Sequence, residues 1–314
     1  MPRKAKEVRV AIVGDPHFNY KAPSSRIDDY ESTVFEKFDF IRRTCAELGI
    51  KQVFLLGDVF HSPRQPLFFV NKVLNLFVQY KESGLDVFSI VGNHDIISEK
   101  MESIPKTPLQ TLFVAGVVNS LGEGRVVEDG DVCIHGFDYP EVIEKNENKD
   151  KYNVCMAHRY YELELSDFSL YKDNLDFLNY DCYIFGHDHE PYDIKREGKW
   201  SLIRPGTPVR GTAAKYNKER QPSFSIVTFK DGTVEEERVP IPCSPGNLVF
   251  SERVFAPKKK QEESADIFRS VVKKMQTHTQ RKDDVYSYLD SMTLETETKK
   301  MIEMYLSEAG FIRN

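Results

Sequence analysis

The stretch VRVAIVGDPH, residues 8–17, places an apolar run directly before a block of polar side chains. The arrangement recurs four more times along the chain. The apolar runs are short and rich in Val, Ile and Phe, as buried β-strands are, and they lie at 8–13, 52–56, 87–91, 153–156 and 182–185. The polar blocks that follow them are Asp15-Pro16-His17, Gly57-Asp58-Val59-Phe60-His61, Gly92-Asn93-His94-Asp95, Ala157-His158 and Gly186-His187-Asp188-His189.

These blocks supply the side chains of a metal centre. If the runs are strands of neighbouring sheets, ligands more than a hundred residues apart can converge on one rim. A dinuclear centre needs about seven nitrogen or oxygen ligands, and Asp, Asn and His suit Mn, Fe or Zn. The candidates are Asp15, His17, Asp58, Asn93, His158, His187 and His189. None is a cysteine, which disfavours a structural zinc site. Taken singly, each block could also be an ordinary strand-ending turn.

Composition indicates a soluble globular protein. The 314 residues are 40% hydrophobic and 29% charged, enough for one large α/β domain with an appendage. No apolar run approaches the ~18 residues of a membrane span. Five cysteines are an odd number, which favours reduced thiols and a cytoplasmic location over disulfides.

The charge is unevenly distributed along the chain. The net charge is −6, yet residues 193–220 carry eight basic side chains against three acidic ones, and residues 253–282 carry nine against three. Two such surfaces, together with bound dications, could hold a polyphosphate backbone. Both stretches could equally be ordinary solvated faces.

The order of elements predicts an α/β fold. Residues 28–48 have the apolar spacing of an amphipathic helix that connects two parallel strands. The helix at 66–80 is apolar on more than one face, which predicts either a homodimer interface or a core helix buried on all sides. Later runs at 223–229 and 233–240 flank Asp231-Gly232 as a hairpin. We expect a four-layer α/β/β/α sandwich of two facing mixed sheets with outer helices.

A domain boundary is predicted at residues 242–246, where two prolines and a glycine occur together. The main domain would be residues 1–243, and residues 244–314 would form a small C-terminal α+β or helical appendage. Within that region, 248–255 alternates like a strand and 263–277 has helical spacing. About 70 residues are too few for a large core, so the appendage should cap the main domain or bind a partner.

The blocks, in this order, resemble the calcineurin-like metallophosphoesterase superfamily, whose pattern is Asp-x-His, Gly-Asp, Gly-Asn-His, His and Gly-His-x-His. Within it, the second and third blocks are similar to those of SbcD-like DNA double-strand-break repair nucleases. The stretches 26–29 and 204–208 share that similarity, which covers about residues 8–240. Protein serine/threonine phosphatases carry Asp-Arg-Gly after the second block and Glu after Asn-His, and neither is present.

The resemblance implies a role for each site residue. One ion would be held by Asp15, His17 and His189, a second by Asn93, His158 and His187, with Asp58 bridging them. His94 would face the substrate as a proton donor, oriented by Asp95. His61 would contact the DNA phosphate, although a capping or surface histidine is an alternative. Further substrate-binding candidates in the first basic stretch are Arg204, Arg210 and Lys215.

The implied function is hydrolysis of DNA phosphodiester bonds. The resemblance implies two divalent ions, Mn first with Mg or Fe as alternatives, and exonuclease activity with single-strand endonuclease activity. It also implies an SbcC-like, SMC-like ATPase partner that binds a C-terminal helical segment, in a repair or recombination complex. A phosphomonoesterase or cyclic-nucleotide phosphodiesterase is the alternative on the same metals, and a non-catalytic scaffold is a third.

Overall fold

A computed structural model describes residues 7–161, 170, 172–196 and 199–251. Its strands are β1 (Val8–Val13), β2 (Gln52–Leu55), β3 (Asp86–Ser89), β4 (Asn119–Ser120), β5 (Val126–Asp129), β6 (Val132–Phe137), β7 (Tyr152–His158), β8 (Cys182–Gly186), β9 (Tyr192–Arg196), β10 (Trp200–Arg204), β11 (Ser223–Lys230) and β12 (Thr233–Pro240). Its α-helices are α1 (Tyr30–Glu47), α2 (Leu67–Glu82), α3 (Pro108–Val114), α4 (Lys172–Leu178), α5 (Lys215–Glu219) and α6 (Gly246–Val249). Short 3-10 helices cover Asn93–Asp95 and Met101–Lys106.

The strands form two six-stranded mixed sheets. The first has the order β12-β11-β1-β2-β3-β4. Strands β1 to β4 pair in parallel, and β11 pairs antiparallel with both β1 and β12. The second has the order β5-β6-β7-β8-β10-β9, in which only β5 and β9 pair antiparallel to their neighbours. The predicted pair of mixed sheets is confirmed.

The two sheets face each other across a shared apolar core. Val10 and Ile12 of β1 pack in one cluster with Val154, Met156 and Ile184 of the second sheet. The opposite face of β1 packs in another cluster with α1 and α2, and the opposite face of the second sheet packs with α4. Because β1 is covered on both faces, five of its six residues are apolar, as in parallel sheets. These layers are the predicted α/β/β/α sandwich.

Helix α1 forms where the sequence predicts it. Asp29 caps its first turn by accepting a hydrogen bond from the Ser32 amide at 3.1 Å, as N-cap carboxylates do. Its buried stripe is Tyr30, Val34, Lys37, Phe38, Ile41 and Cys45. The predicted stripe is confirmed, with the addition of a buried lysine that hydropathy does not indicate.

Helix α2 buries only one face. Phe69, Val73 and Phe77 lie in the core, whereas Leu67 is 72% exposed and Phe68 is 51% exposed. The alternative of a core helix buried on all sides is therefore wrong. The exposed face keeps the homodimer interface as a prediction.

The compact unit that contains both sheets ends at Phe250, and the division predicted at residue 243 stays a prediction. The amide of Ile27 donates to the Val249 carbonyl, and Arg26 forms a β-bridge with Phe250. The strand expected from residue 248 is instead helix α6, because Pro245 starts a single helical turn. The rest of that strand and the helix predicted at 263–277 lie outside the described residues.

All five cysteines are free thiols, and four of them are buried: Cys45, Cys133, Cys155 and Cys182. Among the residues that the structure describes, no helix is long and apolar enough to cross a membrane.

Candidate metal centre

The ends of five parallel strands converge on one rim of the sandwich. Strands β1, β2 and β3 of the first sheet lead into the blocks that carry Asp15, Asp58 and Asn93. Strands β7 and β8 of the second sheet lead to His158 and His187. The structure brings all seven predicted ligands together there.

The side chains divide into two groups. Asp15, His17 and His189 offer ligand atoms within 4.8 Å of one another, and so do Asp58, His158 and His187. Asn93 adjoins the second group, because its Oδ1 lies 3.0 Å from His158 Nε2. Asp58 reaches both groups, since its Oδ2 lies 3.6 Å from His17 Nε2 and 3.4 Å from His158 Nε2.

The spacing of the imidazoles fits shared cations. His17 Nε2 lies 2.9 Å from His189 Nε2, and His187 Nδ1 lies 3.0 Å from His158 Nε2. Two nitrogens that bind one ion at about 2.1 Å in a right-angle arrangement are separated by roughly 3 Å. The donor pairs therefore have the spacing that a divalent ion requires.

The buried carboxylates also fit cations. Asp15 Oδ2 and His17 Nδ1 are buried and have no hydrogen-bond partner. Burial raises the pKa of Asp15 to about 8. Burial also opposes ionisation of Asp58, but the adjacent His158 holds the pKa of Asp58 well below its usual range. A divalent cation would supply the missing partner of Asp15 Oδ2 and offset the cost of burying these carboxylates.

Four of the predicted ligands have left-handed backbone. The φ angles are 25° at Asp15, 45° at His17, 48° at Asp58 and 84° at His187. Such conformations cost on the order of 1–3 kcal/mol each in non-glycine residues and concentrate at functional sites. The surrounding loops hold them through bonds such as the His17 amide to the Asp58 carbonyl, at 2.9 Å.

Glycines allow these loops to approach one another. A Cβ atom on Gly92 would lie 2.2 Å from both the amide nitrogen and Oδ1 of Asp58. A Cβ atom on Gly57 would lie 2.8 Å from His158 Nδ1, at a φ of +86°. Gly-Asp and Gly-Asn-His thus need their glycines for close approach as well as for turning.

Backbone carbonyls fix the tautomers of two histidines. His158 Nδ1 lies 2.8 Å from the Leu56 carbonyl, which can only accept, so Nδ1 carries the proton and Nε2 is free to bind an ion. His94 Nδ1 lies 2.8 Å from the His61 carbonyl in the same way. The His94 Nε2 atom is therefore the ring nitrogen free for substrate.

His61 and His94 stand beside the first ligand group. Their rings stack with centroids 5.2 Å apart, and each centroid lies within 5.3 Å of that of His17. Burial lowers the pKa of His61, and the neighbouring His94 lowers it further. The pair is placed to meet a phosphate held between the two groups.

The predicted role of Asp95 requires correction. Its carboxylate accepts hydrogen bonds from the amides of Val59, Phe60 and Gly92 at 3.0–3.2 Å, and it forms no hydrogen bond with His94. Asp95 is buried, and burial raises its pKa to about 7. Through these hydrogen bonds Asp95 links the second block to the third. The carbonyl of His61, and not Asp95, orients His94.

Comparison with known families agrees with this geometry. A family model described as calcineurin-like phosphoesterase matches residues 8–191. The chain belongs to this family. The predicted superfamily is confirmed, and the calcineurin-like fold implies a dinuclear divalent metal site.

Among individual relatives of this calcineurin-like chain are two archaeal proteins named DNA double-strand break repair protein Mre11. The protein from Methanocaldococcus jannaschii is 23% identical over 257 residues, which are 74% of this chain and 66% of the relative. The protein from Methanopyrus kandleri is 25% identical over 76% of this chain and 58% of its own length. The chain thus spans about three fifths of these relatives. A dimetal phosphatase from Danio rerio is 11% identical, covers 75% of this chain and 99% of its own, and has a TM-score of 0.48.

The three basic substrate-binding candidates differ in their surroundings. Arg210 is buried and donates to the Ser244 carbonyl, so its guanidinium is unavailable to a substrate, contrary to expectation. Arg204 is paired with Asp188 at 2.9 Å and donates to the Glu190 carbonyl, which makes it a support of the His189 loop. Lys215 is exposed, and its substrate contact stays a prediction.

The sequence motifs did not identify one aromatic residue that lies at this rim. The Tyr160 ring lies 3.8 Å from the ring of His187, centroid to centroid, and is 43% exposed. It occurs two residues after His158 without any motif that marks it. Only the folded geometry indicates that it borders the second ligand group.

A groove of about 940 Å³ opens beside His61. The cationic side chains that line it are Lys21, Arg64 and Lys106, and none of the described residues lining it is acidic. Tyr20, 44% exposed, stands at its edge. None of the three cationic residues belongs to the basic stretches recognised in the sequence.

Proposed function

We propose that this chain is a Mn-dependent DNA phosphodiesterase with exonuclease and single-strand endonuclease activity. One observation carries the proposal: a groove lined by basic but no acidic described residues begins at His61, beside the ligand groups, on a chain of net charge −6. A nucleic-acid backbone needs such a surface along its length, whereas a small phosphomonoester does not. The similarity to proteins named Mre11 supports DNA as the substrate.

The ligand groups define the chemistry. Asp15, His17 and His189 would hold one ion, and Asn93, His158 and His187 would hold the other, with Asp58 shared. When bound, two divalent ions supply an activated water and neutralise charge on the phosphate. With both ring nitrogens protonated, His94 would donate its Nε2 proton to the leaving oxygen, and His61 would position the phosphate.

We further propose a homodimer and an ATPase partner. The dimer would form through the exposed face of α2, which presents Leu67 and Phe68. An SbcC-like ATPase would bind the region after residue 260. Co-purification of such an ATPase, lost on deletion of residues 260–314, would support this partner.

The experiment offers purified protein and Mn²⁺ three substrates: linear duplex DNA, single-stranded DNA and p-nitrophenyl phosphate. We expect DNA cleavage. Release of p-nitrophenol without DNA cleavage would instead support the phosphomonoesterase, and no hydrolysis of any substrate would support a scaffold.

A groove variant sharpens the test. Replacing Lys21, Arg64 and Lys106 by Ala should weaken DNA binding at least 10-fold and reduce the slope of log K against log salt by about 2. The matched control replaces Arg43, Lys51 and Lys149, which are exposed and line no part of this groove. Equal losses in both variants would contradict the groove as the DNA site.

A further inference from the structure

Four successive carbonyls after β10 accept hydrogen bonds from cationic side chains. Arg220 donates to the carbonyls of Thr207, at 2.8 Å, and Val209. Lys37 of α1 donates to the carbonyl of Pro208 at 2.8 Å. Arg26 donates to the carbonyl of Arg210 at 2.7 Å. Residues 207–210 are therefore held from three separate parts of the chain, and we call them the clamped segment.

This arrangement holds a buried lysine, Lys37, and a half-buried arginine, Arg220, without an opposite charge beside either. In the described part of the chain, no carboxylate lies within ion-pair distance of Lys37 or Arg220, whereas Arg26 pairs with Asp28. Burial lowers the pKa of Lys37 to about 7 and that of Arg220 to about 10. Buried cations are costly unless hydrogen bonds compensate them, so the carbonyls of the clamped segment offset much of this cost.

The clamped segment contacts the first ligand group directly. Thr207 Oγ1 donates to the Asp15 carbonyl at 2.8 Å, and the Thr207 amide donates to the His189 carbonyl at 3.2 Å. Gly206, just before it, sits so close that a Cβ atom there would lie 2.8 Å from the His189 carbonyl oxygen. One threonine thus links the two loops whose side chains form this group.

The second ligand group has different supports. His158 is held by the Leu56 carbonyl, and Asp58 accepts from the His94 amide at 2.8 Å. Hydrogen bonds of the clamped segment reach Asp15 and His189 but none of the second group's residues in the described structure. A disturbance of the segment should therefore affect one group before the other.

We propose that Arg220 and Lys37 are positioning residues that, through Thr207, set the affinity of the Asp15–His17–His189 group for its ion. The inference rests on the proposed two-metal function. Second-sphere partners of metal ligands typically alter metal affinity by 10–100-fold when removed. Arg220 has the larger role, because its guanidinium donates two hydrogen bonds, to the carbonyls of Thr207 and Val209.

The test is a stepwise Mn²⁺ titration of metal-free protein by calorimetry, with bound metal counted by mass spectrometry. Arg220→Met should weaken one of two binding steps at least 10-fold and leave the other unchanged. Arg220→Lys, which keeps the charge, should recover part of the loss. Thr207→Val, which removes only the hydroxyl that holds Asp15, should weaken the same step and decides the matter should Arg220→Met fail to fold.

The matched control is Arg26→Met, which removes the cation at the far end of the clamped segment. It should lower the melting temperature without altering either Mn²⁺ affinity. Wild-type affinities at both steps in Arg220→Met and Thr207→Val, or equal weakening of both steps, would overturn the inference. Failure of the wild-type protein to bind two Mn²⁺ would instead count against the proposed function.

Discussion

His94 is held by a main-chain contact rather than by an acid. Its Nδ1–H donates to the His61 carbonyl, which leaves Nε2 to face the substrate. A histidine placed this way can exchange its proton without a change in ring orientation. Its function should therefore be separable from metal binding.

Replacing His94 by Ser should reduce DNA cleavage by about 10²–10⁴-fold, the usual contribution of a general acid, while both Mn²⁺ ions remain bound. Single-turnover kinetics and metal analysis measure the two quantities. His135→Ser is the matched control, because His135 lies half-buried against Asn153 and outside the ligand groups. Loss of metal from His94→Ser would show that this residue is a ligand instead.

Asp138 is a buried acid behind the third block. Its Oδ1 accepts from the Val91 amide at 2.7 Å, and burial raises its pKa to about 7. Since the folded pKa exceeds the unfolded one, protonated Asp138 stabilises the fold below about pH 4, and this stabilisation is lost as pH rises towards 7.

Asp138→Asn keeps the acceptor and removes the charge. The variant should match wild type near pH 4 and become more stable between pH 4 and 7, with a constant gap above pH 7 of up to roughly 4 kcal/mol. Urea denaturation of both proteins across this range measures the gap. A gap that does not change with pH would show that folding does not raise the pKa of Asp138.

At this scale the sequence is enough to propose ligands where side-chain type alone indicates the chemistry, and their metal binding stays a prediction. Asp15, Asp58 and His158 could be selected because each follows an apolar run and suits a divalent ion. Asp95 and Arg210 could not be assigned, because their roles depend on which amides and carbonyls face them after folding. Those hydrogen-bond partners cannot be inferred from the neighbouring residues in the sequence.

At the scale of elements, α2 has an exposed apolar face. Leu67 is exposed at its first turn, and Val114 of α3, the neighbouring helix, is 77% exposed. Exposed apolar side chains on adjacent helices favour association with a second surface.

Leu67→Lys should shift the proposed dimer towards monomer, because a charge would be buried in the interface. Sedimentation velocity at several protein concentrations measures the change. Leu48→Lys is the control, since Leu48 is 44% exposed at the end of α1. A wild-type protein that is monomeric at all concentrations would contradict the dimer.

Elements were predictable where periodicity is strong. The stripe of α1 and the apolar runs on either side of Asp231-Gly232, which form β11 and β12, both reflect one-dimensional patterns. Helix α6 was missed because a single turn has no period to recognise, and because alternating apolar residues there resemble a strand. The left-handed backbone of Asp15 and His17 was equally hidden, since neither residue type demands it.

At the scale of the whole molecule, the ligand groups join the two sheets. Each group takes side chains from blocks that follow strands of both sheets. Bound ions would therefore act as links between the halves of the sandwich and stabilise the folded state by mass action.

Removal of divalent metal by a chelator should lower the melting temperature, and Mn²⁺ at about 100 times its Kd should restore about 2.7 kcal/mol, which corresponds to roughly 5–10 °C for a unit of this size. Differential scanning fluorimetry measures the shift. Asp58→Asn, which lacks the shared carboxylate, should show a much smaller one. An Mn²⁺ response in Asp58→Asn equal to that of wild type would argue against linkage through this site.

The division of each ligand group between distant parts of the chain also bears on biosynthesis. His17 shares its group with His189, and Asp58 shares its group with His158 and His187. Each group therefore stays incomplete until these later residues have been synthesised. A chain emerging from the ribosome therefore has no complete group until the second sheet has been made. A proteolytic cut that separates the two halves would leave both ligand groups incomplete. Neither a nascent chain that lacks residues 187–189 nor a fragment without them would have a complete ligand group.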